Sequence, residues 1–150
     1  MQITVEYNQD SYDYFFSPVF VEFPDLKQTL VDDFIIYKST GSLPNYFFGR
    51  DTSYHRPPDI EDAGLMHLHI ALGKNEFEPI RNGIDVSTPQ KLQWHRTSNT
   101  ALVYAQNLFD ENRYSFIALF HPVAHMSANN DDRMRRLASY ARDFRNTIFE

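Results

Sequence analysis

The sequence predicts an α+β fold in which a small antiparallel β-sheet is accompanied by one helix in the N-terminal half and another at the C-terminal end. Apolar residues recur at helical spacing over residues 25–40 and again over 129–147. Apolar and polar residues alternate over 65–72, as in a strand with one buried face. Two apolar runs, 101–109 and 113–121, are separated by three polar residues, which is typical of a β-hairpin.

Both predicted helices rest on a stripe of apolar residues. In the first helix the stripe consists of Leu26, Leu30, Val31, Phe34 and Tyr37. Asp25 followed by Gln28 resembles a capping box at its start, and Gly41 is a typical C-terminal stop. In the second helix the stripe consists of Met134, Leu137, Ala138, Ala141 and Phe144. Arginines occupy its other faces, so this helix is predicted to be amphipathic.

Three further segments are predicted to be extended or irregular. Residues 3–7 and 18–23 are short, aromatic and β-branched, which favours strands. Prolines bound the second of these, so an extended segment at a sheet edge fits it equally well. Residues 41–64 mix Gly, Pro, Asn and Asp and are predicted to form a long irregular connection.

The composition indicates an ordinary folded protein. A chain of 150 residues with 42% hydrophobic content fits one domain spanning residues 1–150. The absence of cysteine excludes disulfides, thiolate metal ligands and cysteine nucleophiles. The start MQITVEYNQD lacks the features of a signal peptide, and no apolar run is long enough to span a membrane. We therefore expect a cytoplasmic protein without a membrane partner.

The charge is unevenly distributed. Residues 1–33 carry seven acidic residues against Lys27, which accounts for the whole formal net charge of -6. The remainder of the chain is neutral, with 13 basic and 13 acidic residues. Such a body can meet an anionic partner at one face, but its electrostatic attraction for RNA is weak.

Several catalytic signatures are absent from the sequence. It contains no GxxxxGK[ST], GxGxxG, GxSxG or HExxH pattern and no EF-hand loop. These absences make phosphate-cradling nucleotide enzymes, α/β-hydrolases and zinc proteases poor candidates, and no cofactor is expected. Scattered His, Arg, Thr, Ser and Tyr residues are sufficient for phosphodiester cleavage without a metal ion.

Histidines are the first candidates for chemistry. His67 and His69 share one face of the predicted strand, roughly 6.5 to 7 Å apart at the backbone. They fit proton transfer or phosphate contact, a metal site that would need a third ligand, or a purely structural role. In HPVAH, His121 lies at a strand end, and His125 follows in a predicted loop from which it can reach a site.

Three further groups of residues suit a phosphate or a nucleotide. Arg50 and Asp51 follow a glycine that permits close backbone approach, although the pair also fits a surface salt bridge. Arg96 and Thr97 combine a forked donor with a hydroxyl just before a strand, where an exposed loop arginine is the alternative. Tyr104 can stack a base or donate to a phosphate, or only pack in the sheet.

Four blocks of the sequence resemble a known family. They are DDFIIYKSTGSLPNYFFGRD, MHLHIAL, HRTSNTALVYAQNLFDENRYSFIALF and HPVAHMSANNDDRMRRLASYARDFR. In this order and spacing they resemble the YafO-type toxins of bacterial type II toxin-antitoxin modules. The resemblance covers residues 32–145, whereas residues 1–31 are an acidic, divergent N-terminal segment.

The resemblance implies a RelE-like architecture and a toxin that cuts messenger RNA on the ribosome and is silenced by a cognate antitoxin. The hypothesis assigns proton transfer to His67 or His69 together with His125. It assigns phosphate stabilisation to Arg96 and Arg50. Substrate positioning is assigned to Asp51, Thr97 and Tyr104. The alternatives are an inhibitor that binds the ribosome without cutting and a toxin that poisons DNA gyrase.

Overall fold

A computed structural model describes residues 2–73 and 76–150 of the chain. The strands are β1 (Thr4–Tyr7), β2 (Phe48–Ser53), β3 (Met66–Ile70), β4 (Ala101–Gln106) and β5 (Arg113–Phe120). The helices are α1 (Tyr12–Phe15), α2 (Ser17–Glu22), α3 (Leu26–Thr40), α4 (Pro89–His95), α5 (Ala124–Ala128) and α6 (Asp131–Arg145), with a 3₁₀ helix over Pro58–Ala63. The predicted α+β class is confirmed, and the arrangement is consistent with a RelE-like fold.

The five strands form one sheet in the order β1-β5-β4-β3-β2. Strands β2 to β5 pair antiparallel, and the predicted hairpin corresponds to β4 and β5. The predicted antiparallel sheet corresponds to β2–β5, and β1, which pairs parallel with β5, makes the whole sheet mixed. The long connection between β1 and β5, which includes every other element except α5 and α6, is what allows the parallel pairing.

The sheet separates two apolar cores. On one side, Phe20 of α2, Phe34 of α3 and Phe16, which directly precedes α2, pack against the sheet. On the other side, α6 and the 3₁₀ helix pack Leu137 and Ile60 against it. Alternation along the strands supplies both cores, because successive side chains point to opposite faces. The second face, together with the edge strand β2, carries the candidate site.

The two long helices confirm the predicted stripes. Gly41 ends α3 in the left-handed region, at φ 72°, and its N–H donates to the carbonyl oxygen of Tyr37. The predicted capping box is not formed, because Asp25 makes no side-chain capping bond and Gln28 donates instead to Asp32. In α6 the capping residue is Asn130, whose side chain accepts from the N–H of Arg133.

The predictions for residues 18–23, as an extended segment, and for residues 41–64, as an irregular connection, were wrong. Residues 18–23 are mostly helical in α2, where consecutive Val19 and Phe20 are buried and Val21 is exposed, a pattern that no flat strand produces. The interval 41–64 contains strand β2 and the 3₁₀ helix as well as irregular backbone. Strand β2 lacks apolar alternation because it is an edge strand held by backbone pairing with β3.

Within residues 2–73 and 76–150, no helix has the length and apolar content needed to cross a membrane.

Candidate active site

The site begins with two histidines on strand β3. The register pairs His67 with Val103 and His69 with Ala101, on the face opposite Leu68 and Ile70. Their ring centroids are 5.4 Å apart. The prediction that these two histidines share one strand face is confirmed.

A third imidazole joins them from a different element. The His125 ring lies 6.0 Å from the His69 ring, between centroids, and His125 is exposed. His125 belongs to helix α5, so its predicted placement in a loop was wrong, although it reaches the site as expected. We call His67, His69 and His125 the histidine cluster. His121 has other partners, and its Nδ1 lies 2.7 Å from the hydroxyl of Thr100.

His69 is held at one ring nitrogen. The residue is 3% exposed, and its Nδ1 lies 3.0 Å from both the carbonyl oxygen and the amide nitrogen of Ser98. When Nδ1–H donates to the Ser98 carbonyl, the lone pair of Nε2 is free to accept a proton. Burial lowers the pKa of His69, and the nearby His125 and Arg50 lower it further against the opposing Ser98 bond. His69 is therefore neutral at pH 7 and can accept a proton.

His67 is a half-buried member of the cluster that stacks on an aromatic ring. Its ring stacks on Tyr54 with centroids 4.0 Å apart and planes 11° from parallel. Burial is the main reason that the pKa of His67 falls to about 3, and the proximity of His69 adds to it. Its Nδ1 is buried without a hydrogen-bond partner among the described residues. This ring is uncharged throughout the physiological pH range.

The depressed pKa of His67 predicts a stability change on acidification. Its folded pKa of about 3 lies below the usual histidine pKa of 6.5, so the unfolded state binds more protons between these values. The contribution to stability is complete above pH 6.5 and is lost as the pH falls towards 3. We expect the unfolding free energy to fall by up to about 1.4 kcal/mol per pH unit more steeply in wild type than in His67→Phe.

Urea unfolding between about pH 7 and about pH 4 measures this difference. Phenylalanine preserves a ring to stack on Tyr54 but cannot take up a proton. Equal slopes for the two proteins would show that His67 does not titrate in this way.

Arg50 brings a cation to the cluster. A register shift in β2 between Phe48 and Asp51 interrupts the regular pairing there. The guanidinium lies over the ring of Trp94, 4.4 Å from its centroid, and its Nε donates to the Trp94 carbonyl at 2.5 Å. Its positive charge contributes to the lowered pKa values of His67 and His69. Arg50 is thus positioned to stabilise negative charge beside the imidazoles.

Arg96 and Thr97 follow helix α4 and support this edge of the sheet through their backbones. The carbonyl of Arg96 accepts from the N–H of Arg50 at 2.8 Å, and that of Thr97 accepts from Glu78 at 2.7 Å. A Cβ at Gly49 would collide with the Arg96 carbonyl oxygen, so the close approach requires glycine. The Arg96 guanidinium lies over the ring of Phe77, 5.7 Å from its centroid.

Asp51 and Tyr104 lie on the opposite face of the sheet. Tyr104 is 1% exposed, and its hydroxyl donates to Asp51 at 2.6 Å. The same carboxylate accepts from the Tyr37 hydroxyl at 2.8 Å and from Lys38 at 3.2 Å. A ring buried to this extent has no face on which a base can stack. These two residues form a structural network on the face away from the histidine cluster, and their contact with substrate stays a prediction.

The structural role of Tyr104 gives a second prediction. We expect Tyr104→Phe to lower the unfolding free energy by about 1 kcal/mol, because it deletes one hydrogen bond to a buried carboxylate. Cleavage by this variant should equal that of wild type, because the phenol faces away from the histidine cluster. A large loss of cleavage in a variant that is fully folded by circular dichroism would show that Tyr104 takes part in substrate binding or catalysis.

Tyr54 and Trp94 belong to the site but were not among the predicted residues. Tyr54 directly follows strand β2, and Trp94 lies in α4, and neither element was predicted. The available signal was that Trp94 is the single tryptophan of the chain. Among the described residues, no group of three His, Cys, Asp or Glu side chains is arranged to hold a metal ion.

Comparisons with known proteins agree with the resemblance seen in the sequence. The family model described as "Toxin YafO, type II toxin-antitoxin system" matches residues 35–146. The chain is also 36% identical over 120 residues to the mRNA interferase toxin YafO of Escherichia coli (strain K12). That match covers 77% of this chain and 83% of the relative. No solved structure matches the chain.

Proposed function

Because the chain belongs to the YafO family of type II toxin-antitoxin toxins, we propose that it is an mRNA endoribonuclease that cuts at the histidine cluster. The observation that carries this proposal is the proximity of the His69 and His125 rings, whose centroids are 6.0 Å apart, next to the edge strand β2 that carries Arg50. A neutral imidazole, an exposed imidazole and a guanidinium are the groups that RNA cleavage through the 2′-hydroxyl requires.

The proposed reaction is an attack of the 2′-oxygen on the adjacent phosphorus. His69 removes the 2′-hydroxyl proton through Nε2, in the tautomer whose Nδ1–H donates to the Ser98 carbonyl. His125 donates a proton to the 5′-oxygen as the bond from phosphorus to that oxygen breaks. The products are a 2′,3′-cyclic phosphate and a 5′-hydroxyl. DNA is not a substrate, because it lacks the 2′-hydroxyl.

Arg50 and His67 have different roles in this proposal. Arg50 stabilises the negative charge that accumulates on the phosphate oxygens in the transition state. His67 stays neutral, so it does not supply the acid. Its ring packs edge-on against the ring of His69 and helps to hold it in place. Base, acid and cation all come from side chains of the chain, and the proposal requires no metal ion.

We propose that cleavage takes place on the ribosome. The body of the chain beyond residue 33 is neutral, so it attracts free RNA weakly. The mRNA must then be positioned by something other than the charge of this chain. The ribosome can do this because it holds mRNA in a fixed geometry. This places the activity in the cytoplasm. Membership of a type II toxin-antitoxin family implies a cognate antitoxin as the remaining partner.

Primer extension on a defined message in a reconstituted translation system tests this function. The expected result is a set of discrete cuts with ribosomes present and almost none when ribosomes are omitted. Translation arrest without cuts would indicate a non-cleaving inhibitor. Normal translation together with inhibition of purified DNA gyrase would indicate a gyrase toxin, and efficient cutting of free RNA at physiological salt would contradict the dependence on ribosomes.

A further inference from the structure

Trp94 is an exposed indole at the edge of the site. It lies in α4 and is 49% exposed, although its ring is the largest apolar surface that a side chain can offer. The proposed cleavage chemistry gives this ring no task. Its carbonyl oxygen already serves to hold Arg50.

Helix α4 fixes Trp94 relative to the edge strand. Gln93, the preceding residue, donates through Nε2 to the carbonyl of Gly49 and to the Tyr37 hydroxyl, each at 3.0 Å. The guanidinium of Arg50 covers one face of the indole at 4.4 Å. With about half of the residue still exposed, part of the ring surface remains open to solvent beside the Arg50 contact. The indole of Trp94 is therefore an aromatic surface in direct contact with Arg50, the cation of the site.

We propose that Trp94 stacks an unpaired base of the RNA substrate and thereby places the neighbouring phosphate on Arg50. This inference rests on the proposed endoribonuclease function and adds the site that holds the nucleotide. Indole rings stack all four bases, so the platform selects single-stranded RNA over duplex rather than one base over another. Stacking on one side and the Arg50 contact on the other link base binding to phosphate binding.

The kinetic test compares Trp94→Leu with Trp94→Phe in the full-length chain on programmed ribosomes. Leucine keeps an apolar side chain but has no ring, and we expect it to lower kcat/KM for cleavage about tenfold or more. Phenylalanine should restore most of this loss. Phe109→Ala removes another exposed aromatic ring, 62% exposed in the turn between β4 and β5, and should cut like wild type.

A binding test does not depend on cleavage. Because Trp94 is the single tryptophan, the intrinsic tryptophan fluorescence of the chain reports this residue alone. In the His69→Ala chain at low salt, a short single-stranded RNA oligonucleotide should quench this fluorescence. Inorganic polyphosphate, which carries the charge without bases, should not quench it.

The outcomes separate this inference from the proposed function. Wild-type cleavage by Trp94→Leu, equal losses in the Leu and Phe variants, or no quenching by the oligonucleotide would each overturn the stacking role while cleavage by wild type stands. Absence of cleavage by wild type would refute the proposed function, and quenching by RNA would still support the stacking site.

Discussion

Replacing His69 by alanine is expected to lower the single-turnover rate of mRNA cleavage about 10²- to 10⁴-fold, the usual contribution of a positioned general base. The variant keeps Arg50 and His125 but has no group to remove the 2′-hydroxyl proton. Ribosome binding should be unchanged, since His69 is only 3% exposed and cannot form much of a docking surface. Rapid-quench measurement of cut message on programmed ribosomes gives the rate directly.

His55→Ala is the matched control for this variant. His55 is exposed and pairs with Glu61 on the surface, so its removal should leave the cleavage rate as in wild type. Circular dichroism and urea unfolding of His69→Ala check that the loss of the Ser98 contact has not unfolded the chain. A folded His69→Ala protein that cuts at the wild-type rate would exclude His69 as the base.

Replacing Arg50 by alanine is expected to lower the cleavage rate about 10²- to 10³-fold, as the loss of one donor to a developing oxyanion does in other enzymes. Arg50→Lys should recover only a small part of that rate. Lysine keeps the charge but lacks the planar fork, and it loses both the Nε bond to the Trp94 carbonyl and the stacking on the indole.

Arg136→Ala provides the control, because Arg136 is an exposed arginine on α6 and its loss changes the net charge by the same amount. Both variants should be measured at two salt concentrations. Equal and modest losses in Arg50→Ala and Arg136→Ala, which disappear at higher salt, would show that Arg50 acts only through long-range attraction.

The histidine face could be predicted because it depends on short-range alternation. The sequence MHLHI has a strict period of two, which places His67 and His69 on one face of any strand. The helical stripes of α3 and α6 are equally local signals. His125 reaches His69 from a separate element, and only its position after a strand end gave any indication of this.

Strand β2 and helix α4 could not be predicted in the same way. Strand β2 has the sequence FGRDTS, whose only strong apolar residue is Phe48, and it exists because β3 offers an edge to pair with. Without that strand, neighbouring Arg50 and Asp51 could not be assigned to different faces of the sheet. The hydrogen-bond network around Tyr104 involves Asp51, Tyr37 and Lys38, which all lie at least 53 residues before it in the sequence.

The central claim is that the chain cuts mRNA by attack of the 2′-oxygen at the cleavage site. A message with a single 2′-deoxy nucleotide immediately 5′ of the mapped cut, compared with the all-ribose message on the same ribosomes, tests this most directly. The account predicts that the deoxy substitution abolishes that cut and that the all-ribose product ends in a 2′,3′-cyclic phosphate. Cleavage of the deoxy-substituted message at the same position and rate would contradict it.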